Sequence, residues 1–130
     1  KKKFLKILIN NLKKNGARIS LFIEPKIKDI KQAKKLNCDC IEIHTGKICN
    51  LINKKKSYRV EFKKIEKAIN YALSLGLEVH AGHGLTYESA KILSKIKNIH
   101  EFNIGHFLIG ESIFVGLKKT IKNFKRIINS

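Results

Sequence analysis

The sequence has no apolar run of the roughly 18 residues that a membrane-spanning helix requires, and its opening, "KKKFLKILINNLKKNG", offers no small-residue cleavage site. A membrane span and an export signal are therefore not expected, and a soluble chain in the cytoplasm is. Cysteine is scarce. Cys38, Cys40 and Cys49 cannot all pair with one another, and the C-x-C spacing lacks the second pair that a zinc site needs. That excludes a disulfide scaffold and leaves reduced thiols. Glycine-rich phosphate loops are also missing: "GHG" at 82–84 is too short for a dinucleotide fingerprint, because the G-x-G-x-x-G spacing is absent.

Acidic residues are few, 10 against 28 Lys and Arg, for a net charge of +18. Such a balance raises a nucleic-acid partner, since basic surfaces release counterions from phosphates. Its distribution points elsewhere. The lysines are spread over every helical segment and accompany abundant Ile and Asn, as a genome-wide compositional bias would give. The one concentrated stretch, "NKKKSYR" at 53–59, is short and carries a single aromatic, which suits a solvated loop. Nucleic acid is not the expected partner.

What is present is a repeating unit. With 130 residues and 43% hydrophobic content, the chain has material for one core, and 1–130 is expected to form a single unit. "ARISLFIE" (17–24) reads as a strand, followed by Pro25 at a helix start and by Ile27, Ile30, Ala33 and Leu36 at helical spacing. "CDCIEIHTG" (38–46) is a second strand. Its helix carries Ile65, Ala68, Ile69, Ala72 and Leu75 on one face and stops at Gly76, after an insertion of unassigned structure at 47–59. "LEVHAGHG" supplies a third strand, with Thr86 as candidate N-cap of a helix through Ala90, Leu93 and Ile96. "HEFNIGHFL" is the fourth, and one terminal helix is expected through Ile113, Leu117, Ile121, Phe124 and Ile128. A first helix ends at Gly16, so the order is α(βα)4.

Alternating strands and helices imply a parallel sheet. Two architectures fit: a small open doubly wound sheet, or half of a (β/α)8 TIM barrel, which normally needs about 250 residues. An opening helix with no strand before it suits the second. The polar residues gather at strand carboxyl ends in either case: Glu42 and His44 near the end of the second strand, His83 just past the third, Gly105 and His106 at the end of the fourth. Ligands bind parallel α/β proteins at that edge.

"SLFIE", "IEIHTG", "AGHGLTY" and "NIGHFLIGESIFVGL" resemble, in order and at comparable spacing, the strand-end motifs of the pyridoxine 5'-phosphate synthase family. The resemblance covers essentially the whole chain and only the C-terminal half of the family's barrel, strands five to eight. It implies condensation of 3-amino-2-oxopropyl phosphate with 1-deoxy-D-xylulose 5-phosphate to give pyridoxine 5'-phosphate, phosphate and water, through a Schiff base and ring closure, with no metal or organic cofactor. It also implies a cytoplasmic homo-oligomer. The family's N-terminal half, with a further catalytic histidine and glutamate, has no counterpart here, so this chain alone is expected to lack synthase activity.

By that resemblance His83 matches the proton donor, Glu42 a transition-state stabiliser, Gly84 a substrate contact, and Gly105 with His106 the pair that binds the aminoketone phosphate. The residues themselves allow these roles. Imidazole suits proton transfer near neutral pH, and Glu42 between Ile41 and Ile43 should face away from both. A helix start near Ile109 and Gly110 can present backbone N–H groups to a dianion. Structural uses are open beside them: a helix-capping His83, a Glu42 ion pair with an interior cation, and glycines that only permit close packing. His44 shares Glu42's face as a supporting candidate, a His80–His83 metal pair is not expected, and His100 belongs to the opposite end. A noncatalytic half-barrel that assembles through its open edges, and a basic nucleic-acid binder, are the alternative functions.

Overall fold

The computed structural model describes residues 2–130. In chain order its elements are α1 (Lys2–Lys14), β1 (Ser20–Ile23), α2 (Ile27–Lys35), β2 (Cys40–His44), α3 (Gly46–Asn53), α4 (Arg59–Ser74), β3 (Glu78–Gly82), α5 (Tyr87–Leu93), β4 (Glu101–Asn103), α6 (His106–Val115) and α7 (Leu117–Ile128). The four strands form one parallel sheet in the order β1-β2-β3-β4. Each strand is laid beside its predecessor on the same side. A doubly wound sheet reverses that direction at a switch point, and this sheet does not, so the doubly wound alternative is removed.

Unreversed, right-handed crossovers put their helices on one face. Strand alternation matches this. Ile41, Ile43, Val79 and Ala81 point to the helical side and are fully buried, with Ile30 and Ala33 of α2, Ile65 and Ile69 of α4 and Leu93 of α5 also buried there. Each buried isoleucine contributes roughly 1.5 to 3 kcal/mol. The other face carries Phe22, Glu42, His80 and Glu101 in one register line, with His44, Gly82 and Asn103 in the line above.

One open segment gains a structure and one expectation is corrected. The 47–59 segment contains helix α3, whose Ile48, Cys49 and Ile52 recur at helical spacing and are buried in the core. The terminal helix is two helices, because Gly116 adopts φ 86 and ψ 140, a conformation that suits glycine and breaks the stripe. Only Phe124 of that stripe is fully buried, against Tyr87 and Phe107 at ring distances of 4.5 and 5.9 Å, whereas Ile113 is 78% exposed. Thr86 caps α5 as expected, in a reciprocal box with Ser89.

The amino ends of the strands are tied by charge. Asp39 accepts from Lys13 Nζ (2.7 Å) and from the Ile19 amide (2.8 Å), and these bonds hold its carboxyl below the usual range. Glu78 joins Arg18 at 2.6 Å and His80 at 2.7 Å, and His100 stacks on His80 at 6.1 Å. His80 and His100 are thereby committed to this end of the sheet.

Candidate functional site

At the carboxyl ends of the strands lies a cavity of about 800 Å³ lined by Phe22, Glu42, His83, Gly84, Asn103, Gly105, His106 and Phe107, among others. Glu42, His83, Gly84, Gly105 and His106, which sit on three different strand ends, are thus brought to one space. His44 does not line the cavity but abuts it through His83, with ring centroids 4.7 Å apart.

Glu42 faces away from Ile41 and Ile43, as their alternation requires. Its Oε2 accepts a hydrogen bond from Asn103 Nδ2 at 2.8 Å, and it makes no ion pair among the described residues. The carboxylate reaches Asn103 by crossing Gly82: a Cβ on Gly82 would collide with Glu42 Oε1 and lie 3.1 Å from the Asn103 Cβ. Gly82 is bare so that Glu42 can lie across it.

His83 is held by its backbone. Its φ is 81, in the left-handed region that disfavours residues with a Cβ. Gly84 follows at φ 78, and a Cβ there would also meet Cys49 Cβ at 3.3 Å, so both conformation and space call for glycine. The fully buried Thr45 Oγ1 lies 2.7 Å from the Gly82 carbonyl and 2.8 Å from that of His83, and the Thr45 amide donates to Gly82 O at 2.9 Å. The loop after β2 thereby fixes the turn after β3. Asn37, Lys55 and Asn98 also take positive φ, in turns after helices, but of the four only His83 lines the cavity. The helix-capping use falls to Thr86 instead.

Gly105 is the N-cap of α6 and His106 its first residue. The helix start therefore lies earlier than expected: the Ile109 amide is already bonded to the Gly105 carbonyl at 3.0 Å. The amides that a helix start leaves without an intrahelical carbonyl belong to His106, Phe107 and Leu108. Of these residues, His106 and Phe107 line the cavity together with Gly105.

Beneath Gly84, burial pushes the Cys49 thiol above its ordinary range, against hydrogen bonds with Ser89 and Thr45 that lower it. It stays a thiol rather than a nucleophilic thiolate. Among the described residues, no group of three or more His, Cys, Asp or Glu is placed to hold a metal ion, and no helix is long and apolar enough to cross a membrane.

Phe22, Thr45 and Asn103 escaped the sequence reading. Phe22 was visible in principle, since it alternates with Leu21 and Ile23 as Glu42 does with its neighbours. Asn103 opens the "NIGH" motif. Thr45 acts through long-range bonds to the next loop, which no local pattern encodes.

Comparison with known proteins gives the family. The family model for "Pyridoxal phosphate biosynthesis protein PdxJ" matches residues 1–130. A protein of Pelagibacter ubique (strain HTCC1062) named pyridoxine 5'-phosphate synthase is 59% identical over 128 residues, 98% of this chain and 54% of that protein. Proteins of the same name from Zymomonas mobilis and Sulfurihydrogenibium sp. are 46% and 42% identical over 97% and 96% of this chain, and 48% and 51% of their own lengths. The chain spans about half the length of the curated relatives it matches. With strand-end motifs, sheet order and family match in accord, this chain belongs to the PdxJ family of pyridoxal phosphate biosynthesis proteins.

Proposed function

We propose that the chain supplies the C-terminal half of a (β/α)8 barrel synthase that condenses 3-amino-2-oxopropyl phosphate with 1-deoxy-D-xylulose 5-phosphate to form pyridoxine 5'-phosphate, phosphate and water. The observation that carries this reading is the exposed imidazole of His83, held at φ 81 in one cavity with the Asn103-bonded carboxylate of Glu42. Family membership and the open, polar inner face of the sheet support it. The remaining strands and acid/base groups then come from sequence beyond this chain, and the 130 residues alone do not turn over substrate.

In this reading His83 is the proton donor, its imidazole able to deliver and recover a proton near neutral pH. Glu42 stabilises positive charge on the iminium that forms when the amine of one substrate condenses with the carbonyl of the other. Its Oε2 is engaged by Asn103, which turns Oε1 toward Gly82 and the cavity. Gly105, His106 and the first-turn amides of α6 receive a phosphate dianion, and Gly84 lets substrate approach the backbone beside His83. Proton transfers, dehydration and the loss of one substrate's phosphate as inorganic phosphate suffice, so the scheme uses no metal or organic cofactor. The reading carries with it a homo-oligomer in the cytoplasm.

The test is pyridoxine 5'-phosphate formation by the intact gene product given both substrates, beside a His83→Asn variant. Asparagine tolerates positive φ, so the backbone is retained. Product from the parent and a fall of about 100-fold or more in the variant is expected. A folded parent that forms no product would overturn the proposal and favour a noncatalytic half-barrel.

A further inference from the structure

Behind His83 stands a pair that the scheme above does not use. Glu24 follows β1 directly, and its Oε1 lies 2.7 Å from His44 Nδ1. His44 in turn packs against two rings: Phe22 at 5.1 Å, edge-on at 77°, and His83 at 4.7 Å, tilted by 59°. Phe22 also reaches His83 at 6.2 Å. We propose that Glu24 and His44 are positioning residues for His83, fixing its ring and coupling its protonation to a carboxylate outside the cavity. The proposal rests on the reading of His83 as proton donor.

The chemistry follows from what each atom can do. A carboxylate only accepts, so the His44 nitrogen facing it carries the hydrogen. Nδ1 is thereby committed, and Nε2 is left as the atom that gains or loses a proton. That edge faces the His83 ring across Gly46. A Cβ on Gly46 would stand 2.9 Å from His44 Nε2 and 2.8 Å from His83 Cδ2. Two imidazoles from different strand ends thus fill the space that a side chain on Gly46 would need. Because the His83 backbone is itself pinned through Thr45, its ring orientation is set by this packing.

The carboxylate has an electrostatic part as well. When His83 is protonated, a neutral imidazole at van der Waals distance gives it little counter-charge. Glu24, 2.7 Å from His44 Nδ1, supplies a negative charge that can act on His83 through the His44 ring. The other titratable groups close to this assembly are Glu42 on β2, His106 at the start of α6 and the Cys49 thiol beneath Gly84. None has an observed bond to His44. Glu24 is therefore the charged group through which His44 can act on His83.

Glu24→Gln and His44→Phe in the intact gene product separate this role from packing, since glutamine keeps an oxygen acceptor and phenylalanine keeps a ring. Each variant is expected to lose about 10-fold in kcat with KM within about twofold, a share of what the donor itself supplies. The pH profile of kcat should shift in both. Imidazole ¹H–¹⁵N spectra should show His44 protonated at Nδ1 in the parent, and the His83 titration midpoint should move in Glu24→Gln. A His83 titration curve superimposable on the parent's in both variants would overturn the proposal, whatever the turnover. Should the parent itself form no pyridoxine 5'-phosphate, the synthase reading fails while the titration still decides whether the pair is coupled to His83.

Discussion

At the scale of the residue, the site is a set of backbone and side-chain positions that exclude their alternatives. His83 accepts a positive φ to present its ring, and Gly82 forgoes a side chain so that Glu42 can reach Asn103. The strain at His83 is measurable apart from any chemistry. His83→Ala and His83→Gly both delete the ring, but only glycine relieves the left-handed backbone. The Gly variant is expected to be about 1 kcal/mol more stable than the Ala variant by urea denaturation, and equal stabilities would show that the position is not strained. The direction of Glu42 was legible in "IEI" because strand alternation is strict. The reason for Gly82 was not, since the atom that forbids a Cβ belongs to another strand. Flanking glycines suggested freedom of approach, whereas the positive φ falls on His83 and Gly84 themselves.

Elements met expectation where their apolar period was local and complete. The stripes through Ile30 and Ala33, through Ile65, Ala68, Ile69 and Ala72, and through Ala90 and Leu93 are all buried. The terminal stripe breaks because periodicity does not register Gly116, and α3 is hard to read because its eight residues begin one residue after β2 and run straight into the lysine-rich 53–59 stretch. An ion-pair bridge now holds that helix. Glu61 of α4, 4% exposed, accepts from Lys47 of α3 at 2.7 Å and from Lys64 at 3.2 Å. Burial raises the Glu61 carboxyl, but the two lysine bonds outweigh it and leave the net pKa below its ordinary 4.5. A lowered folded-state pKa stabilises the fold above the unfolded value, and that share is lost as pH falls through the folded one. Glu61→Gln is therefore expected to cost about 1.5 kcal/mol at pH 7, with the gap between urea midpoints closing as pH is lowered from 4.5 toward 3. A gap that persists at low pH would assign the loss to packing.

For the whole molecule, a charge of +18 on 130 residues is the dominant long-range term. Like charges crowd when the chain compacts, so screening should favour the folded state. Raising NaCl from about 20 to 300 mM is expected to increase the urea midpoint, and a midpoint that falls with salt would mean that attractive pairs such as Lys13–Asp39 and Arg18–Glu78 outweigh the repulsion. The parallel α/β class could be read from the alternation of elements, but the sense in which strands add could not: a helix between two strands looks the same locally whichever way the sheet grows. The unreversed order β1-β2-β3-β4 also bears on how the chain reaches its fold. Every strand pairs with the next one in sequence, so assembly can proceed by accretion, one βα unit onto the last, without waiting for distant segments. The longest closure, from β2 to β3, encloses roughly twice the chain of the other two and adds only about 0.6 kcal/mol of loop entropy. Within that stretch lies α3, a local helix that shortens the free chain before the third strand arrives.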